Sequence, residues 1–282
     1  MQYDNYSLLR KGKTKLGMNK AFMGLVALTL PAVILSTSAA ASTTATVVVT
    51  PTFEHGWSAT TPLADTKTGG AVNFVTDTMA PAGNGALQLT TDSSITAKAQ
   101  YMHVAGIPLI EVTELSFYTK QNFASFVGGN ASYQLSMYLN GTSGFTTLVY
   151  EPYQGGGGSV VPGLWQRWDV YPGKFWSTRE VTCSNGTLSK GNGGPAIHTL
   201  AEIKAKCPEA VVLAYGLNIG SNNLSYNVEA DLFNFNGTTF DFERNNEPSS
   251  KSDCKSNGWT NLTDQNDQPF KNQGQCVSWT NG

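Results

Sequence analysis

The stretch "ASYQLSMYLNGTSG" (Ala131–Gly144) places Tyr133, Leu135, Met137 and Leu139 on one side and Gln134, Ser136 and Tyr138 on the other. It then breaks at an Asn-Gly turn. A two-residue period of this kind is that of a strand with one face buried. Working outward, "TELSFYTK" (113–120) sets Leu115 and Phe117 against Ser116 and Tyr118, and "WQRWDVY" (165–171) sets Trp168 and Val170 against Trp165, Arg167, Asp169 and Tyr171. "VVLAYGLNIG" (211–220) and "YNVEADLFNF" (226–235) continue the pattern. Short alternating runs broken by Gly, Asn and Pro from Val47 to Glu243 predict an all-β, antiparallel β-sandwich. One segment, "AIHTLAEIKAKCPEA" (196–210), has helical spacing at Leu200, Ile203 and Lys204 and stops at Pro208. It is expected to be a single short helix.

The chain divides into three parts. Residues 1–41 read as a signal peptide, with an uncleaved N-terminal membrane anchor as the alternative: a basic start (Arg10, Lys11, Lys13, Lys15, Lys20), an apolar run from Ala21 to Leu35, and small residues for cleavage near Ala41. Residues 42–245 form the sandwich, and residues 246–282 a polar linker and a short tail. The whole chain has 18 Lys and Arg against 20 Asp and Glu; without the leader's five cations and Asp4 the balance is 13 against 19, a net charge of −6. An acidic product argues against nucleic acid as a partner, and no later apolar stretch predicts insertion into a membrane. The expected location is extracellular.

The four cysteines, Cys183, Cys207, Cys254 and Cys276, all follow the leader. In an oxidising compartment they predict two disulfides. Of three connectivities the sequential one, 183 with 207 and 254 with 276, fits best. A zinc site is the alternative, but the chain has neither CxxC nor HxxxH spacing, and His55, His103 and His198 are scattered. The tail after Cys254 is too short to bury a core of its own. Its bridge is expected to replace one, with Trp259, Phe270 and Trp279 packed over it.

Two resemblances add to this reading. "CKSNGW" (254–259) with "FKNQGQCV" (270–277) resembles a C-terminal motif of secreted bacterial proteins, from which Ser256 and Asn257 depart; it implies secretion more than any activity. "PTFEHGW" (51–57), "GNGALQLTT" (83–91), "GLWQRWDV" (163–170) and "VEADLFNFNG" (228–237) resemble strands of the jelly-roll carbohydrate-binding modules of secreted bacterial polysaccharide-degrading systems. That likeness spans about residues 53–243 and implies a jelly-roll fold and a carbohydrate or cell-surface glycoconjugate as partner. It also implies a structural Ca2+ held by Glu54 and Asp231, carboxylates being suitable hard ligands.

The aromatic-rich segment 150–176 offers faces that suit sugar rings. Its polar side carries Trp165, Arg167 and Tyr171, and Tyr118, Gln134, Tyr138 and Asn218 are expected to extend this face on neighbouring strands. The alternative is that these aromatics only pack a second layer. For catalysis, Glu229 and Asp231 resemble part of the Glu-x-Asp-x-x-Glu signature of sandwich-fold retaining glycosidases, but the third position is Asn234, and an amide cannot donate and recover a proton. The sequence therefore predicts a secreted, non-catalytic binding protein. A sandwich-fold glycoside hydrolase or polysaccharide lyase and a structural or adhesion protein are the alternatives.

Overall fold

The computed structural model describes residues 45–191, 193–248, 250–266 and 268–281; the leader read in residues 1–41 lies outside them. Sixteen strands occur among the described residues: β1 (Ala45–Val49), β2 (Trp57–Ser58), β3 (Gly70–Thr76), β4 (Gly85–Thr91), β5 (Ala99–Pro108), β6 (Leu115–Phe123), β7 (Ser132–Asn140), β8 (Ser143–Tyr150), β9 (Trp165–Asp169), β10 (Lys174–Ser177), β11 (Val181–Cys183), β12 (Gly186–Leu188), β13 (His198–Thr199), β14 (Val211–Ile219), β15 (Asn227–Phe235) and β16 (Thr238–Phe242). They build two seven-stranded sheets and one small hairpin, β11–β12.

The second sheet runs β13-β10-β8-β7-β14-β5-β2. In the first sheet, β15 is central. One of its edges lies along β6, which passes on to β9, while the other is shared between β4, over Asn227–Ala230, and β16, over Phe233–Phe235. The change of neighbour falls at a bulge, where Leu232 takes a left-handed φ of 44°. Such backbone is unusual for a residue with a side chain, and bulges of this kind end one pairing and start another.

The alternation read from the sequence sets the core. Tyr133, Leu135, Met137 and Leu139 of β7, Leu115 and Phe117 of β6, and Trp168 and Val170 are buried between the sheets. Trp57 stacks on Tyr101 at 5.2 Å and takes edge contacts from Phe233, Phe240 and Phe242. Aromatic pairs of this geometry add about 0.5–1.5 kcal/mol each beyond area burial. The buried Trp168 indole donates to Thr119 Oγ1 at 2.7 Å, which offsets its desolvation.

The structure departs from the expected fold in two places. The sandwich is antiparallel except at β1, which pairs parallel with β16 from Ala45↔Thr238 to Val49↔Phe242. No hairpin constrains β1, so it can join the edge in either direction. The predicted helix forms as α2 (Leu200–Lys206), after one turn at α1 (Pro152–Gly155), and a third helix, α3 (Gln273–Trp279), lies in the tail. Thr199 and Glu202 start α2 with a reciprocal capping box. For α3, "QGQCVSW" has no apolar stripe to announce it; its visible signal is Asn272, whose side chain accepts from Gln275 N at 2.9 Å.

Both disulfides take the sequential pairing, Cys183–Cys207 and Cys254–Cys276. The first joins β11 to the residue after α2. The second is the centre of a small cluster with Leu262 and Phe270, against which Trp259, Val277 and Trp279 pack. Asn246 and Thr263 exchange backbone and side-chain hydrogen bonds at 2.9 Å and zip the linker to the tail.

Candidate functional site

The outward residues of the second sheet form a regular grid. One register row crosses five strands as Trp176↔Val149↔Gln134↔Gly216↔Met102, and the next outward row runs Ser132↔Asn218↔Gln100. At Gly216 an added Cβ would lie 2.1 Å from the Tyr101 carbonyl oxygen, so only glycine lets β5 approach at this point in the floor. The loop carrying Leu63 and Ala64 covers Met102 and Ala214 and closes the face on the β5 side.

Between that cover and Trp176 lies a groove of about 420 Å³ lined by Asn130, Ser132, Gln134, Glu151, Tyr153, Trp176 and Asn218, with the turn at Gly220–Asn223. Gln100 accepts from Asp65 N at 2.8 Å and donates Nε2–H to Gln134 Oε1 at 2.9 Å, leaving the Gln134 NH2 as a donor. Asn218 Oδ1 and Asn130 Nδ2 are buried without a hydrogen-bond partner. Each such atom costs about 1–3 kcal/mol and needs an explanation in a native fold.

At the groove's other wall, Glu151 Oε2 accepts from Trp176 Nε1 at 2.9 Å and from Gln154 Nε2, which fixes the plane of the indole. Burial pushes the Glu151 carboxyl above its ordinary value, against the opposing effect of those two bonds. Tyr153, which is exposed, meets Phe126 edge-on at 5.3 Å and extends the aromatic wall.

The expected ligand-binding residues fall into two groups that the fold does not bring together. Gln134 and Asn218 line the groove, and Tyr138 lies on the same sheet but away from it, edge-on to Phe145 at 6.1 Å. Tyr118, Trp165 and Arg167 belong to the other sheet, where Tyr118 pairs with Arg167. The expectation of one continuous face is thus corrected: alternation assigns a residue to a side of its strand, and not to one sheet or the other. Arg167 pairs with Asp169 at 2.9 Å, and the Tyr171 hydroxyl accepts from Lys204 Nζ at 3.2 Å.

Trp165 has a different task. Its Nε1 donates to Asp77 Oδ2 at 2.9 Å, and its ring lies under the Lys120 ammonium, which also binds Asp77 and reaches Glu229 at 2.6 Å. Burial opposes ionisation of Asp77, but its bonds from Lys120, Met79 N and Trp165 hold it well below the usual carboxylate range. Glu229 also accepts from Asn122 at 2.7 Å. Asp77 and Glu229 thus bracket one ammonium, an arrangement that holds charge in place and leaves Asp77 no proton to donate.

Glu54 and Asp231 take separate partners. Glu54 Oε1 accepts from the Tyr101 hydroxyl at 3.3 Å, whereas Asp231 accepts from Phe242 N at 2.9 Å and Ala82 N at 3.4 Å. The carboxylate whose charge bears on Asp231 is Asp241. Among the described residues no group of three or more His, Cys, Asp or Glu side chains is placed to hold a metal.

Sequence reasoning missed Asn130, Ser132 and Glu151 as groove residues and held Tyr153 and Trp176 only as members of the aromatic-rich segment. For Ser132 a signal existed, since it alternates with core residues of its strand. Glu151 and Tyr153 follow β8 in a turn whose direction no periodicity gives.

No protein-family model matches the chain, and no curated protein matches it. Solved structures similar to it include a family 11 carbohydrate-binding module from Clostridium thermocellum in complex with a β-1,3-1,4-mixed-linked tetrasaccharide, at 12% identity over 65% of this chain and 90% of that one, TM-score 0.37. They also include the CBM22-1 xylan-binding domain of Paenibacillus barcinonensis Xyn10C, at 14% identity over 64% and 85%, TM-score 0.27. A third is a β-1,2-glucanase from Parabacteroides distasonis, at 12% identity over 64% and 22%, TM-score 0.32.

Proposed function

We propose that the chain is an exported, non-catalytic module that binds a neutral saccharide in the groove on its second sheet. The observation that carries this reading is the free Gln134 NH2 donor beside Asn130, Ser132 and Asn218 in a groove walled by Trp176 and Tyr153. A sugar hydroxyl is both donor and acceptor and can bond to amide and hydroxyl side chains alike, while the C–H face of the ring suits an indole. The groove's lining holds one carboxylate and no cation, so an uncharged ligand fits it better than a uronate or a phosphate. Export is part of the same proposal: two disulfides suit an oxidising compartment outside the cytoplasm.

The test is titration of the full chain against soluble mixed-linkage β-1,3-1,4-glucan and xylan, with tetrasaccharides cut from each. Trp176→Ala and Asn218→Ala should each weaken binding about tenfold or more, the loss typical of a buried anchor. Unchanged affinity in both variants would place the ligand elsewhere, and failure of every saccharide to bind would end the reading.

A further inference from the structure

The tail holds a second groove that shares no lining residue with the first. It measures about 690 Å³ and lies between α3 and the turn at Asp264–Gln265, with Phe270 and Trp279 in its lining. On α3, Gln275, Ser278 and Trp279 stand at i, i+3 and i+4, which puts them on one helix face. Gln275 and Ser278 are exposed, whereas Trp279 is half-buried, its ring 6.2 Å from that of Phe270 at an interplanar angle of 64°.

The polar groups in this groove are held in place. Gln275 Oε1 accepts from Lys271 N at 2.7 Å, so its NH2 remains a donor. Asp264 Oδ1 is engaged by Asn266 N at 2.8 Å and Gln268 N at 2.9 Å, so Oδ2 remains an acceptor. The Cys254–Cys276 bridge fixes α3 itself, since Cys276 lies in the middle of the helix. An indole beside an anchored donor, an anchored acceptor and a free hydroxyl, with no cation in the lining, repeats the chemistry of the first groove on an unrelated scaffold.

We infer that the cystine tail carries a second saccharide-contact site, centred on Trp279, which makes the chain bivalent toward one polysaccharide. The identity of the polymer rests on the reading of the first groove; the existence of the tail site rests on the tail's own residues. Two sites on one chain gain from effective concentration: once one is engaged, the other meets the same polymer intramolecularly, and avidity exceeds either single affinity.

The experiment compares the soluble β-glucan and xylan polymers with their tetrasaccharides on four full-length proteins: wild type, Trp279→Ala, Gln275→Ala/Ser278→Ala and Trp176→Ala. Both tail variants should lose about tenfold or more in polymer affinity while the tetrasaccharide affinity of the first groove stays as in wild type. The Gln275/Ser278 pair is exposed, so it carries the test should Trp279→Ala lower the melting temperature. Wild-type polymer affinity in the Gln275/Ser278 variant would overturn the tail site. A loss confined to Trp176→Ala leaves the first groove standing and removes the second. A loss confined to the tail variants does the reverse.

Discussion

Asp231 is fully buried at the point where β15 changes neighbours from β4 to β16, and its two oxygens receive Phe242 N from one side of the fork and Ala82 N from the other. It thus satisfies one backbone donor of β16 and one of the β3–β4 turn. Replacing it with alanine should destabilise the fold by about 2–5 kcal/mol, since two N–H groups lose their acceptor. Chemical denaturation reads this as a lower midpoint, and a loss below 1 kcal/mol would contradict the role. Burial and the nearby Asp241 push the Asp231 carboxyl up to about 8, and burial with Asp241 likewise raises Glu243 to about 7. These groups bind protons in the folded chain that the unfolded chain has released. Their stabilising effect is therefore complete below about pH 4 and disappears as pH rises through the window from 4 to 8. The melting temperature should be higher at pH 5 than at pH 8, and Asp231→Asn should flatten that slope. The opposite slope would refute the assignment. Asp77, held low, acts only in stronger acid, below the ordinary carboxylate range.

At the scale of elements, the strands with clear alternation were legible from the sequence, and their inward faces are the core. What could not be read was how strands are shared between sheets. Gln134 and Trp165 have the same outward character in their own strands, and nothing local distinguishes a groove wall from a salt-bridge cover. The distinction comes from long-range pairing: β7 between β8 and β14, and β9 beside β6. The α2 excursion shows the opposite case, because its signals are local. Its capping box, its stop and its cysteine lie within a short stretch, and its Lys204 reaches the Val112 carbonyl at 2.6 Å. Removing the 183–207 bridge as a paired Cys→Ser variant should lower stability by about 3 kcal/mol, as expected for a closed loop of this length. Calorimetry checks this. An unchanged melting temperature would mean that α2 and the β11–β12 hairpin hold without the staple.

For the whole molecule, charge and ligand class can be set against each other. The chain from residue 42 onward carries 13 cations against 19 carboxylates, and Glu151 stands in the groove wall where binding is proposed. A polysaccharide bearing uronates would meet repulsion from the protein as a whole and a second penalty at Glu151, and both would weaken as salt screens them. A neutral chain meets neither, since its contacts are hydroxyl to amide and ring to indole, with no counterion released. Affinity for a neutral glucan or xylan should accordingly vary less than twofold between low and high salt. Binding to a polyuronate should be weaker at low salt and recover only in part as salt is added. Titrations of both polymer classes across that range read the difference directly. A strong fall in neutral-polymer affinity with salt would mean that ion pairs, and not the amide grid of the second sheet, make the contact.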